Sequence, residues 1–216
     1  MIDPMRIFTW VHTWHGRSEH ARAATIRSLD ASDAAGRYEV MCQPTDAHRD
    51  DFYINALRSI CVYDGIDYML RLEDDVLVNR HLLHNISRWK APQHSRFGAG
   101  WLSMTDELLA DTGHCPLLDG FRIREYPECH FAGGVLMKIS TLSAIIPYVE
   151  ARLRAGGEHF APGCSLSSAA WHSGLRVFFH EPSIVAIDMS IPAYHARRYN
   201  ERFFDKQPYD QTWRAP

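Results

Sequence analysis

Three consecutive carboxylates, Glu73, Asp74 and Asp75, close an apolar run that opens at Tyr68. Like charges packed this closely raise one another's proton affinity unless a cation or hydrogen-bond donors offset the repulsion. Hard divalent ions such as Mg²⁺ and Mn²⁺ are held by one or two carboxylates together with substrate phosphates. A metal-bridged diphosphate is therefore the chemistry this triplet suits. An acidic turn that merely ends a strand looks the same locally, and short motifs often match by accident, so the elements around the triplet must decide.

Residues 6–11 form a short apolar run rich in Ile, Phe, Trp and Val, followed by a polar stretch, 12–17, and an Ala-rich helical segment, 18–29. Residues 38–42 are a second β-prone run, and 52–63 place Phe52, Ala56, Leu57, Ile60 and Tyr63 on one helical face. Residues 67–76 are a third strand, so the first third of the chain reads βαβαβ. Strands alternating with helices predict an α/β single domain with a mostly parallel central sheet flanked by helices. In such sheets ligands bind at the carboxyl edge, where the triplet falls. Further on come a helix over 81–89, a β-like run over 97–103 and an irregular stretch, 105–128, whose length suggests an active-site insertion. A strand over 131–139, entered through Gly133-Gly134, precedes helices over 141–154, stopping at Gly156-Gly157, and 165–173, closed by Gly174. Two last β-like runs, 176–180 and 183–187, lead into a tail with no internal repeat.

The run between residues 55 and 83, with its Ala/Leu-containing helix, Leu72-Glu-Asp-Asp-Val76 and a following helix, resembles nucleotide-sugar-dependent glycosyltransferases of the A-type (GT-A) fold. Their Asp-x-Asp motif sits at this place. The opening Ile7-Phe-Thr-Trp-Val-His-Thr-Trp-His-Gly-Arg17 is similar to the family's first strand and nucleotide-binding loop. Phe131-Ala-Gly-Gly-Val-Leu-Met-Lys138 is similar to the segment under the donor sugar and acceptor, which would place Gly133 and Gly134 there. Leu166-Ser to Phe178, and Pro182-Ser-Ile-Val185, resemble the late helix, strand and final sheet segment. The resemblance runs from Arg6 to about Asp188, and only the acidic motif is individually specific. It implies a nucleotide-binding part over 6–76, an acceptor and catalytic part over 77–188 and a C-terminal tail over 189–216.

Carried over position by position, the resemblance implies that Asp75 binds the metal directly, while Glu73 or Asp74 contacts the ribose or a metal-bound water. Thr13, Arg17 and Asp46 would face the nucleotide, and Arg71 joins that binding set. Arg17 and Asp46 also suit plain loop or helix-capping roles. Many inverting members carry an Asp just before the Leu-Ser pair; here the chain reads Ala161-Pro-Gly-Cys-Ser-Leu166, which leaves Glu158, Asp106 and Asp119 as candidate bases and both stereochemical outcomes open. Some relatives place a metal-binding His after the Pro-Ser-x-Val run, where this chain has Asp188, so Asp188 or His195 is the candidate substitute. Arg197 and Arg198 suit a grip on the diphosphate. The expected activity is thus Mn²⁺- or Mg²⁺-dependent glycosyl transfer from a nucleotide-diphosphate sugar, UDP-linked as is commonest in the family, to a hydroxyl-bearing acceptor.

The alternatives are a catalytically silent GT-A-like module that binds nucleotide sugar or glycan, a hydrolytic metalloenzyme and a sugar nucleotidyltransferase. His12-x-x-His15 and His81-x-x-His84 lack the adjacent Glu of the H-E-x-x-H motif. The polar loop after the first strand has only Gly16, a weak match to a Gly-rich phosphate loop. With 26 acidic and 23 basic residues the formal charge is −3, which gives no general pull toward nucleic acid, although a DNA acceptor stays open through the Arg- and aromatic-bearing tail. All but three of the bases are Arg, the better fork for phosphate oxygens.

At 216 residues with 46% hydrophobic and 23% charged residues, the chain has an ordinary globular composition and buries roughly 70% of its unfolded surface. No stretch reaches the ~20 apolar residues of a membrane span, and the first six residues lack a signal-peptide layout, so a cytoplasmic location is expected. Five scattered cysteines without a C-x-x-C pair suggest reduced thiols rather than a disulfide or zinc framework.

Overall fold

A computed structural model describes residues 1–14, 19–45, 48–103, 115–124, 133–155, 162–181 and 183–187. The chain opens with β1 (Ile7–Trp14), α1 (Glu19–Asp30), β2 (Tyr38–Gln43), α2 (Arg49–Ile60) and β3 (Tyr68–Glu73). The expected βαβαβ unit is present, with β1 paired in parallel to both β2 and β3. The third strand, however, does not run on to Val76. It stops at Glu73, the chain turns at Asp74-Asp75, and a separate strand, β4 (Val76–Val78), leaves the main sheet to pair antiparallel with β10 (Val185–Ile187). Val76–Val78 find their pairing partner in β10, outside the main sheet, and the turn lets the chain leave the line of β3.

After α3 (Leu82–Arg88) come β5 (Phe97–Trp101), β6 (Leu117–Leu118), β7 (Phe121–Arg124), β8 (Gly134–Lys138), α4 (Ile139–Arg154), α5 (Pro162–His172) and β9 (Arg176–Phe179). The eight-stranded sheet has the order β2-β1-β3-β8-β5-β9-β7-β6. β1, β2, β3, β5 and β9 share one direction; β8 runs against β3 and β5, and β7 against β9 and β6. Part of the stretch expected to be irregular, 105–128, therefore forms a hairpin, β6 and β7, joined at Asp119-Gly120. Both turn residues have positive φ, 52° and 83°, as a two-residue hairpin with right-handed strand twist requires.

Strand alternation sorts the core onto two faces. Phe8, Trp10, Met69, Val135 and Met137 point to one, where they meet Tyr53 and Leu57 of α2 and Ile145 and Val149 of α4. Ile7, Val11, Leu70, Leu72 and Leu136 point to the other, with Leu29 of α1, Leu83 and Ile86 of α3, and Trp89. Both faces of β3 are buried, as expected for a strand central to a helix-covered sheet. Close packing on β5 depends on its glycines: a Cβ at Gly100 would lie 2.4 Å from the Trp89 ring, and one at Gly98 would lie 2.8 Å from Ala170 Cβ of α5. No helix among the described residues is long and apolar enough to cross a membrane, and Cys42 and Cys61 are free thiols.

Candidate active site

Parallel pairing in the register His12↔Glu73 brings the end of β1 beside the end of β3, so Thr13 stands against the acidic turn. The Thr13 hydroxyl donates to Asp74 Oδ2 at 2.5 Å. Asp74 and Asp75 retain only 5% and 6% of their exposure, so their charges sit largely out of water. Beyond the turn, the Val76 N–H donates to Thr25 Oγ1 at 3.0 Å and the Val78 N–H to Ser28 Oγ at 3.2 Å. α1 thus satisfies backbone donors that β4 would otherwise bury without partners.

The opposite neighbour of β3 supplies the glycines. The Glu73 N–H donates to the Gly133 carbonyl at 2.9 Å, and Gly134 lies across from Leu72. A Cβ on Gly134 would come within 3.1 Å of Val185 Cγ2 and 3.2 Å of Leu72 Cδ2, so the glycine lets β10 pack close to the sheet beside the acidic turn. Thr13, Glu73, Asp74, Asp75, Gly133 and Gly134, dispersed in sequence, are thereby gathered at one sheet edge.

Arg71 and Glu73 share the other face of β3, two residues apart. The Arg71 side chain, 2% exposed, approaches Glu73 Oε1 through both terminal nitrogens at 3.4 Å and lies 5.8 Å from the centre of the Tyr53 ring. Its Nη2 also donates toward His12 Nδ1 at 3.4 Å, which assigns the imidazole proton to Nε2. His12 stacks at 6.2 Å on Phe52, with an interplanar angle of 19°, and its buried Nε2 has no hydrogen-bond partner among the described residues. Burial first, then the Arg71 and Arg49 charges, lower its pKa from 6.5 to about 3, so the ring is neutral.

His12 and Thr25 are the residues sequence reading passed over. In sequence His12 reads as half of a His-x-x-His pair, although the alternation Phe8, Trp10, His12 puts it on the apolar face of its strand. Nothing local marks Thr25, whose partner is 51 residues away.

Arg17, Asp46, Asp106, Glu158, Asp188, His195, Arg197 and Arg198 lie outside the described residues. Asp119 sits at the β6–β7 turn, where its carboxylate pairs with His94 Nε2 at 2.9 Å. His81 precedes α3, and His84 lies within it. Among the described residues no group of three or more His, Cys, Asp or Glu side chains is arranged to hold a metal ion. The donors at the turn are hard carboxylate oxygens, which fit a cation taking one or two protein carboxylates with its remaining ligands from phosphate and water.

No protein-family model matches the chain, and no curated protein matches it in sequence. Among solved structures it is similar to one described as a glycosyltransferase involved in the glycosylation of the major capsid of PBCV-1, at 13% identity and a TM-score of 0.45, over 81% of this chain and 82% of that one. It is also similar to A197 from STIV, at 14% identity and a TM-score of 0.46, over 82% of this chain and 83% of that one.

Proposed function

We propose that this chain is a glycosyltransferase that uses Mn²⁺ or Mg²⁺ to move a sugar from a nucleotide-diphosphate donor, a UDP-sugar first among them, to a hydroxyl acceptor on a glycan, a protein or a modified DNA base. The observation that carries the proposal is the buried Asp74-Asp75 turn at the carboxyl edge of β3, fixed from one side by Thr13 and flanked on the other by Gly133-Gly134. Open α/β sheets bind ligands at this edge. Two adjacent, mostly buried carboxylates need hydrogen-bond donors or a cation to offset their charge, and Thr13 supplies one donor.

In this reading Asp75 holds the cation, with Glu73 and His195 as the further candidate ligands. A bound divalent ion would neutralise the negative charge that develops on the departing diphosphate. The chain's own residues do the rest. Asp74 is oriented by Thr13. Arg71 places positive charge beneath Glu73, and Gly134 lets Val185 pack against Leu72 beside the acidic turn. Arg17, Asp46, Arg197 and Arg198 are the candidate contacts to the nucleotide and its phosphates. The anomeric carbon–oxygen bond to the diphosphate breaks as one forms to the acceptor oxygen, whose proton passes to a base, with Glu158, Asp106 and Asp119 the candidate carboxylates.

The test is release of nucleoside diphosphate from UDP- and GDP-sugars with Mn²⁺ or Mg²⁺, in wild type and Asp75→Asn. The isosteric amide removes one charge without removing packing, so turnover should fall roughly a hundredfold or more with little change in melting temperature. Equal turnover in the variant would refute the metal assignment. Metal-dependent nucleotide binding without turnover of any donor would leave a silent binding module instead.

A further inference from the structure

Two threonines on different elements hold the chain on either side of the acidic turn. Thr13 ends β1 and donates to the Asp74 carboxylate; Thr25 lies in α1 and accepts the N–H of Val76, the residue after Asp75. They retain 1% and 0% of their exposure. A hydroxyl has one proton, and that of Thr13 is committed to Asp74 Oδ2, so it is not available to donate to a nucleotide. The turn itself contains neither Gly nor Pro to preset its backbone. Its two carboxylates are adjacent in sequence and both are buried. β-Branched side chains are stiff about χ1, so two buried threonines hold their hydroxyls in place at small entropic cost.

We propose that Thr13 and Thr25 are positioning residues, a two-point clamp that holds the Asp74-Asp75 turn so that the Asp75 carboxylate meets the divalent cation; the inference rests on the metal-dependent reading above. This changes the part expected of Thr13, from a contact to the nucleotide to a residue that acts through Asp74. Partners of this kind, one step removed from a metal, typically tune its affinity 10- to 100-fold.

The test compares Thr13→Val, Thr13→Ser, Thr25→Val and Thr25→Ser for Mn²⁺ binding, followed by calorimetry and by the paramagnetic signal of unbound Mn²⁺, with and without UDP. Each valine keeps the shape of threonine and loses the hydroxyl, and should weaken Mn²⁺ about tenfold or more; each serine should stay within about threefold of wild type. Hydrogen exchange at the Val76 amide should accelerate in Thr25→Val and not in Thr25→Ser. A purely structural role would lower the melting temperature and leave the affinity of the folded protein unchanged. Wild-type affinity in folded Thr13→Val and Thr25→Val would overturn the clamp and leave the functional reading standing. Should Thr13→Val not fold, the Thr25 pair decides alone. Absence of Mn²⁺ binding by the wild type, with and without UDP, would overturn the functional reading and the clamp with it.

Discussion

His12 carries a consequence of burial that can be measured directly. In the unfolded chain its imidazole titrates near 6.5, and in the folded protein burial and the Arg71 and Arg49 charges lower that value to about 3. Above 6.5 neither state binds the proton, and this residue adds no pH dependence. As pH falls from 6.5 toward 3 the unfolded state takes up a proton that the folded state refuses, so stability is lost by as much as about 1.4 kcal/mol per pH unit. Denaturant unfolding of wild type and His12→Phe across this window should show the wild type losing stability more steeply, with parallel curves above pH 7. Parallel curves throughout would mean that the folded imidazole ionises normally. Asp75, by contrast, matters through its place at the turn: its substitution is expected to remove activity and spare the fold.

Among the elements, α3 shows how far a short helix depends on its neighbours. It has seven residues, too few for stability of its own, and its N-cap His81 makes no side-chain capping bond. Asp33, from the loop after α1, does the capping instead: its two carboxylate oxygens accept the N–H groups of Leu83 and His84 at 2.9 and 2.8 Å. The charge also lies at the positive end of the helix dipole. Asp33→Ala should therefore destabilise the protein by about 1–2 kcal/mol, read from the denaturation midpoint, and Asp33→Asn by less. No loss in Asp33→Ala would show that water caps this helix equally well. Because α3 follows directly on β4, Asp33, Ser28 and Thr25 together tie the α1 region to the segment that leaves the acidic turn.

For the whole molecule, the site is built where one sheet meets two covering layers. β1, β3 and β8 bring Thr13, Glu73 and Gly133 together only when the sheet is complete, so the proposed nucleotide should bind the folded chain alone and stabilise it. A nucleoside diphosphate with Mn²⁺, at 100 times its dissociation constant, stabilises by about 2.7 kcal/mol. For a chain of this size that is roughly 5–10 °C in melting temperature. A thermal-shift panel of UDP, GDP, CMP and dTDP, each with and without Mn²⁺, should show one such rise that needs both components. A rise with nucleotide alone would separate nucleotide binding from metal.

The sequence by itself determined the alternating strands and helices, the exit of the acidic triplet from an apolar strand, and the glycine pair at the start of β8. These are local: periodicity, propensity and turn chemistry act over a few residues. It did not reveal the break of the third strand at Asp74-Asp75, because Val76–Val78 is as β-prone as the residues before it. That break is set by a partner, Val185–Ile187, more than a hundred residues away. It also hid the reversed directions of β8 and β7, since strand direction depends on which neighbours a strand finds and not on its own pattern. Nor did it couple Thr13 to Asp74, Thr25 to Val76, or His12 to Arg71. Hydrogen bonds between groups 51 to 61 residues apart leave no trace in local periodicity, and only the packed sheet with α1 and α2 against it brings these groups into contact.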